Sequence, residues 1–310
     1  MKGNLIVQIS EGLGNQLFMY AHAYALSKKL NKNLLIDDTT GYFKNKNSLR
    51  PHQKYMLNYF NISEDCAPDY FKYDTFSRNI YKKILIFFDN FKSNKKFLIE
   101  FSKKTNNKKV VNNYSVEKLT FNKNTYISGN FEDENYFFKY RKDLINIFSP
   151  KEKFLSSNID ILHKLKNTNS VSIHIRRNRY SDQIGIDDNY KNQTKSDNFT
   201  HDTIEYINRS IKYMIKHVEN PHFFIWSNNF ENFDNILKKI QIKNYELINT
   251  NDVINDFYLF KYAKHFIVGP SSYHWWGAWL NDSPNKICIR PSSLNPSNNE
   301  NFWPKEWVSI

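Results

Sequence analysis

Two adjacent arginines, Arg176 and Arg177, follow a short apolar run in the middle of the chain. In this run apolar residues alternate with Ser172, His174 and Arg176, which is typical of a β-strand. The alternation predicts that one face of the strand is buried and that His174 and Arg176 project together from the other face. A guanidinium group is a planar fork of donors that suits phosphate oxygens, so the pair indicates a diphosphate site. A salt-bridge pair at the surface is the alternative.

A pair of serines, Ser271 and Ser272, falls between a predicted strand and a predicted helix in the segment GPSSYHWWGAWL. Their hydroxyl groups, together with the free amides of a first helical turn, form an anion site. A helix N-cap explains one of the two serines equally well. Trp275, Trp276 and Trp279 in the same segment are expected to pack the helix against a sheet.

The segment GLGNQL, which follows the first apolar run, is a third candidate for phosphate chemistry. Gly12 and Gly14 fit the first two positions of the dinucleotide pattern G-x-G-x-x-G, and Asp37 and Asp38 stand where a ribose-binding acid is expected. Leu17 occupies the third glycine position. A nicotinamide-dependent oxidoreductase is therefore the weaker alternative.

Parallel β-sheets are the elements that bring such segments together. The chain opens with a strand, a glycine turn, a helix and a second strand, which is the βαβ pattern. A second alternation begins after about residue 150, with strands at SVSIHI, HFFIWSNN and KHFIVG. Ligands bind at the carboxyl ends of the strands in such open sheets. We therefore predict an α/β protein with two similar domains, residues 1–150 and 151–310, that face each other across a cleft.

Charge and hydropathy indicate which binding partners and which cellular compartment the protein has. The chain carries a net charge of +13, but its lysines are scattered among asparagines, which favours a solvated basic surface over a nucleic-acid site. A weak contact with an anionic membrane is the alternative. No stretch approaches the roughly 18 apolar residues that span a bilayer. Cys66 and Cys288 are far apart and indicate a reducing compartment, so we expect a cytoplasmic protein, with any membrane contact at the inner face.

Five segments, in order along nearly the whole chain, resemble motifs of glycosyltransferase family 11, the α-1,2-fucosyltransferases of bacterial surface glycans and animal blood-group antigens. They are GLGNQLFMYAHAYALS, SGNFEDENYF, HIRR, FFIWSNN and SSYHWWGAWL. The resemblance implies a GT-B architecture with two Rossmann-like domains, GDP-fucose as the donor, no metal or other cofactor, and inversion at the anomeric carbon. It also implies a galactoside-type acceptor, a glycan or lipid-linked oligosaccharide, in lipopolysaccharide or capsule synthesis.

The resemblance implies roles for individual residues as well. The first domain would be the acceptor side, with contacts from the poorly periodic residues 42–124, which we predict to be helices and long loops. The second domain would bind the donor. The implied donor-binding residues are Gly14, Asn15, His174, Arg176, Arg177, Asn228, Asn229, Ser271 and Ser272. Arg176 would also stabilise the leaving GDP, and no motif fixes the base that inversion requires. We expect Asp182 to be that base, ahead of Asp187 and Asp188.

The chain departs from the family pattern at three places. Asn178 and Arg179 stand where the family has glycine and aspartate after the two arginines, and Pro270 stands where it has asparagine. Asn228 and Asn229 replace acids, one of which is placed to read guanine in related fucosyltransferases. An amide cannot accept both N–H bonds of guanine as a carboxylate does. A transferase for another nucleotide sugar, or a non-catalytic glycan- or nucleotide-binding relative, is therefore the alternative function.

Overall fold

The structure is a computed structural model that describes residues 2–43, 53–100, 102–105, 108–111, 119–149, 158–177, 179–180, 189–297 and 299–310. The chain forms two compact units. The first comprises Met1–Ile147 and Ser297–Phe302, and the second comprises Phe148–Pro296 and Trp303–Ile310. The prediction assigned residues 297–302 to the second domain, whereas the chain returns to the first unit there. A segment of six residues without a helix or strand pattern does not indicate in the sequence which domain it packs against.

The first unit is built on a four-stranded parallel sheet with the strand order β2-β1-β6-β3. Its elements are β1 (Asn4–Gln8), α1 (Leu13–Lys29), β2 (Asn33–Asp37), α2 (Phe76–Asp89), β3 (Asn94–Ile99), β4 (Ser102–Thr105), β5 (Lys108–Val111), β6 (Thr120–Ser128) and α3 (Arg141–Ile147). Strands β4 and β5 pair with each other as an antiparallel hairpin. The predicted opening βαβ pattern is present as β1, α1 and β2.

The region predicted as helices and long loops contains a strand of the first sheet. Strand β3 pairs in parallel with β6, although its sequence, NKKFLI, has lysines at two of its six positions. The prediction for residues 42–124 was therefore wrong here. Polar residues at the solvated start of an edge strand hide the apolar alternation that identifies a strand.

The second unit is built on a six-stranded sheet with the order β12-β11-β10-β7-β8-β9, in which the paired strands are parallel. Its elements are α4 (Ile159–Asn167), β7 (Ser170–Ile175), α5 (Asn189–His217), β8 (His222–Ser227), α6 (Asp234–Leu237), β9 (Tyr245–Ile248), α7 (Val253–Phe260), β10 (His265–Ile267), α8 (Ser272–Trp279), β11 (Cys288–Arg290) and β12 (Val308–Ser309). Strands β7 and β8 lie inside the sheet, and all of their residues except the half-buried His222 are buried.

Strand β7 is buried on both faces, which corrects the prediction of one open face. Val171, Ile173 and Ile175 pack in the apolar cluster that α5 covers. On the opposite face Ser172 and His174 are also buried, and the indole nitrogen of Trp226 donates to the Ser172 hydroxyl at 3.3 Å. Polar residues on the second face of a central strand resemble a solvated face when only the sequence is available.

None of the helices in the part of the chain that the structure describes is long and apolar enough to cross a membrane.

Candidate active site

The carboxyl ends of three neighbouring strands bring most of the predicted site residues of the second unit to one edge of the sheet. Strands β10, β7 and β8 are adjacent and parallel, and they end at Ile267, Ile175 and Ser227. The loops that leave them begin at the same edge. These loops carry Arg176, Arg177, Asn228, Asn229 and Ser271, and Ser272 begins α8 directly after the third loop.

Two buried histidines pack together at this edge. The imidazole rings of His174, at the end of β7, and His274, in the first turns of α8, have centroids 3.0 Å apart. Burial lowers the pKa of both rings well below the ordinary value, and the charge of Arg176 lowers both further. Both imidazoles are therefore neutral at pH 7, and the half-buried guanidinium of Arg176 lies near both of them.

The loop between β10 and α8 approaches β7 closely at Gly269. A Cβ atom at this position would lie 2.7 Å from His274 Nδ1 and even closer to the His174 carbonyl oxygen. The main chain can reach the histidine pair only because residue 269 has no side chain.

The serine pair divides between two roles. Ser271 is the N-cap of α8, and its hydroxyl accepts a hydrogen bond from the Tyr273 main-chain N–H at 3.3 Å. Ser271 is buried, whereas Ser272 is half-buried. The Tyr273 hydroxyl donates to the Val253 carbonyl at 2.8 Å and so ties the start of α8 to the start of α7.

The second arginine of the HIRR motif is bonded to the loop that follows β8. Its Nη1 donates to the carbonyl oxygens of Asn229, at 3.2 Å, and Glu231. The Arg177 main chain is paired with the side chain of Asn228, which accepts from the N–H at 2.7 Å and donates to the carbonyl at 3.1 Å. Arg177 therefore holds the ends of β7 and β8 together, and the phosphate contact predicted for it stays a prediction.

Arg179, which stands where the family has an acid, supports the serine loop. Its Nη1 donates to the Pro270 carbonyl at 3.2 Å and its Nη2 to the Pro296 carbonyl at 3.1 Å. The guanidinium carbon lies 5.2 Å from the centre of the Phe199 ring. The change from acid to base thus provides two donors for main-chain carbonyls, which a carboxylate cannot do.

Gly14 and Asn15 lie in the first turn of α1, in the first unit. Gly14 is buried, and the amide of the half-buried Asn15 donates to the Glu11 carboxylate. The neighbouring Gln16 is fully buried and donates to the carbonyls of Glu11 and Lys54 at 2.9 and 2.8 Å. The GLGNQL turn is therefore fixed to the loop near residue 54 by side-chain amides.

The acids that the dinucleotide alternative requires have other partners. Asp37 is fully buried, and its carboxylate accepts from the hydroxyls of Thr40 and Tyr126, each at 2.6 Å. Asp38 forms an ion pair with Lys72 at 2.8 Å. Because Asp37 is buried with its own partners and Asp38 already pairs with a lysine, the structure disfavours the nicotinamide alternative.

The predicted base Asp182 lies outside the described residues, as do Asn178, Asp187 and Asp188. The assignment of a base therefore stays a prediction.

Sequence comparison decides the family. The sequence model of Glycosyl transferase family 11 matches residues 4–310. The chain belongs to glycosyltransferase family 11. Among curated relatives, an alpha-1,2-colitosyltransferase of Escherichia coli is 29% identical over 315 residues, covering 99% of this chain and 98% of the relative. The O-antigen biosynthesis glycosyltransferase WbnK of Escherichia coli is 26% identical over 324 residues, which cover 97% of this chain and 99% of the relative.

Solved structures agree on the fold of this family 11 chain. The NodZ alpha-1,6-fucosyltransferase soaked with GDP-fucose superposes with a TM-score of 0.51 at 12% identity, covering 93% of this chain and 95% of NodZ. POFUT1 in complex with GDP-fucose superposes with a TM-score of 0.50 at 10% identity, covering 92% of this chain and 97% of POFUT1. The predicted α/β architecture of the GT-B type is thereby confirmed.

Sequence reasoning missed three parts of this family 11 site. His274 was read only as part of a helix, and Gly269 and Arg179 were given no structural role. The glycine at the end of the predicted strand KHFIVG was a usable signal, since close approach of two main chains requires one. The contact of His174 with His274 joins positions 100 residues apart and has no signal in a single sequence.

Proposed function

We propose that the protein is an inverting α-1,2-glycosyltransferase that moves fucose, or a closely related deoxy sugar, from GDP to a galactoside-type acceptor during surface glycan synthesis. Membership of family 11 supports glycosyl transfer. The names of the two Escherichia coli relatives support the α-1,2 linkage and a role in O-antigen synthesis. The structures of NodZ soaked with GDP-fucose and of POFUT1 in complex with GDP-fucose support a guanosine diphosphate donor.

The position of Arg176 carries the proposal. Its half-buried guanidinium lies at the carboxyl edge of β7 beside two imidazoles that burial keeps neutral. Neutral imidazoles provide packing surface and hydrogen-bonding atoms without adding charge, so the positive charge beside them comes from Arg176. A guanidinium in a partly dry site binds diphosphate oxygens more strongly than one in open solvent does.

Charge development explains how this geometry favours transfer. As the bond between the anomeric carbon and the phosphate oxygen breaks, negative charge grows on the departing diphosphate, and the Arg176 fork stabilises it. Ser272 and the free amides at the start of α8 add uncharged donors at the same edge. The acceptor hydroxyl attacks the opposite face of the sugar and loses its proton to a base, for which Asp182 is our candidate. In this scheme arginine provides the counter-charge and no metal or cofactor is required.

The base specificity of the donor has to come from groups other than the Asn228 side chain. Both polar atoms of that amide are bonded to the Arg177 main chain. The Asn229 side-chain oxygen accepts from the Glu231 N–H at 2.7 Å. We therefore propose that these asparagines hold the loop after β8 and that the family acids they replace are not needed for guanine binding.

Colitose is the second candidate for the transferred sugar, because the relative with 29% identity is a colitosyltransferase. The free thiols of Cys66 and Cys288 fit a reducing compartment. We propose that transfer takes place in the cytoplasm.

A donor assay tests the function. Purified protein is given GDP-fucose, the corresponding colitose donor or UDP-galactose, each with a β-galactoside acceptor, and the products are identified by mass and by linkage analysis. We expect an α-1,2-linked deoxy sugar from a GDP donor and almost no product with Arg176→Ala. Transfer from UDP-galactose alone would refute the donor assignment and leave glycosyl transfer in place. GDP binding without any transfer would support the non-catalytic alternative.

A further inference from the structure

Helix α2 packs Lys82 and Asp89, together with the half-buried Leu85 and Ile86, against its own unit and exposes a row of large apolar residues on the other side. Lys82 and Asp89 are buried on the inner side. Phe76, Ile84 and Phe87, on the outer side, are exposed. A surface helix that has only water outside normally carries polar residues on its outer side.

Specific contacts of the two charged residues fix this orientation of the helix. The Lys82 ammonium donates to Gln8 Oε1 at 2.6 Å and lies 4.3 Å from the centre of the Tyr126 ring. The Asp89 carboxylate accepts from the main-chain N–H groups of Lys96, at 3.0 Å, and Phe97, at 2.9 Å. The outward direction of the apolar side is therefore a built feature of the unit.

The exposed side chains form an apolar patch on α2 and its flanks. Their exposed fractions range from 43% to 78%. We define the α2 patch as Phe76, Ile80, Tyr81, Ile84, Phe87, Phe88 and Phe91. The ring of Phe87 lies 5.5 Å from the rings of both Phe88 and Phe91, so the C-terminal end of the patch is continuous. A continuous surface of this kind marks a docking site.

Basic side chains accompany the α2 patch. Lys83 and Lys92 are exposed, and Lys96 is half-buried in β3, whereas the Lys95 ammonium donates to the carbonyls of Asp89 and Asn90 at the end of the helix. The acid of α2, Asp89, is buried and already accepts main-chain hydrogen bonds. The C-terminal half of the patch therefore has a positive border.

We propose that the α2 patch docks the protein on an anionic phospholipid bilayer. Aromatic and aliphatic side chains on one helix face, with lysines beside them, match the chemistry of helices that lie in the interface of a membrane. The lysines face anionic headgroups while the apolar face enters the region below them. The inference does not depend on which sugar donor the active site uses.

Vesicle sedimentation of the full chain tests the docking surface. We compare vesicles of phosphatidylcholine with 30% phosphatidylglycerol, about a third anionic lipid, with vesicles of phosphatidylcholine alone. Wild-type protein should prefer the anionic vesicles, and added salt should weaken its binding. The triple variant Ile84→Gln, Phe87→Gln, Phe88→Gln should bind at least about tenfold more weakly. Lys83→Gln should bind about fivefold more weakly.

A matched control uses exposed apolar residues of the second unit. Ile159, Ile215 and Val253 are 65%, 57% and 49% exposed, so the triple change to Gln removes a similar apolar surface. Its vesicle binding should equal that of wild type, as should that of Lys216→Gln. Hydrogen exchange of wild-type protein should show that vesicles protect residues 76–91, a measurement that needs no variant.

Three results would overturn the proposal. The first is that the patch variant and the control variant bind vesicles equally well. The second is that wild-type protein does not bind the anionic vesicles. The third is that wild-type protein forms a dimer in solution and that the patch variant abolishes the dimer but leaves vesicle binding unchanged. The patch would then bind a second copy of the chain.

Discussion

The side chain of Asn228 and the main chain of Arg177 exchange two hydrogen bonds across the ends of β7 and β8. Asn228 Oδ1 accepts from the Arg177 N–H at 2.7 Å, and Asn228 Nδ2 donates to the Arg177 carbonyl at 3.1 Å. An amide offers both the donor and the acceptor that this arrangement uses, whereas a carboxylate offers acceptors alone. The pair explains why asparagine is compatible with a position where the family has an acid.

Asn228→Asp should lower stability without improving GDP binding. The carboxylate keeps the acceptor but loses the donor, and it repels the Arg177 carbonyl. For an exposed residue we expect a loss of about 0.5–1 kcal/mol in the free energy of unfolding. Chemical denaturation and GDP titration measure both effects. A clear gain in GDP affinity would show that an acid here reads guanine, contrary to the role proposed for Asn228.

Gly269→Ala should damage the site, whereas Gly12→Ala should be tolerated. The added Cβ at residue 269 meets the His174 carbonyl and the His274 ring, so the loop has to shift. We expect a loss of about 1–3 kcal/mol in stability and a large loss of turnover. At Gly12 the nearest atom in contact range is Gln53 Nε2, 3.9 Å away. Equal thermal stability and activity of the two variants would contradict the close approach.

Stability should fall as the pH drops below about 6.5. Burial lowers the pKa of His22 to about 3, and it also lowers the pKa values of His174 and His274. Because these rings bind protons in the unfolded chain near pH 6.5 but not in the folded protein, acid favours unfolding.

The variant His22→Phe isolates one of these groups. Since His22 stacks on Phe131 with ring centroids 4.1 Å apart, an aromatic replacement keeps the packing. The loss of stability between pH 6 and pH 4 should be shallower than in wild type by about 1.4 kcal/mol per pH unit. Denaturant titrations at several pH values measure this slope, and parallel curves for the two proteins would show that His22 is not a buried neutral base.

Transfer should continue in EDTA. The positive charge in the proposed mechanism comes from Arg176, so removal of divalent ions should leave initial rates within about twofold of the untreated enzyme. The assay compares untreated enzyme, chelated enzyme and chelated enzyme with magnesium or manganese restored. Loss of turnover on chelation, with recovery on metal addition, would refute arginine as the source of the counter-charge.

Local patterns in the sequence predicted much of the fold. Apolar runs and helical spacing were sufficient for β1, α1, β2, β7 and α8 because each has a continuous pattern of its own. Strand β12 has only two residues, so its sequence contains too few positions for any period. The two-sided burial of β7 depends on helices far away in the sequence.

The site was predictable only in part, for a related physical reason. The position of Arg176 after a strand follows from adjacent residues. The partners of Arg177 lie more than fifty positions away, and the role of Arg179 depends on the Pro270 carbonyl. Every residue has a main-chain carbonyl, whatever its side chain. A sequence therefore does not reveal which carbonyls an arginine binds.

Calorimetric titration of GDP into wild-type protein and Arg176→Ala tests the central claim most directly. The donor diphosphate is proposed to bind at the carboxyl end of β7 through the Arg176 fork. We expect at least about thirtyfold weaker GDP binding in the variant, equivalent to about 2 kcal/mol, with little change in melting temperature. Arg177→Lys, which loosens the loop after β8, should mainly lower the melting temperature. GDP affinity of Arg176→Ala within twofold of wild type would contradict the claim.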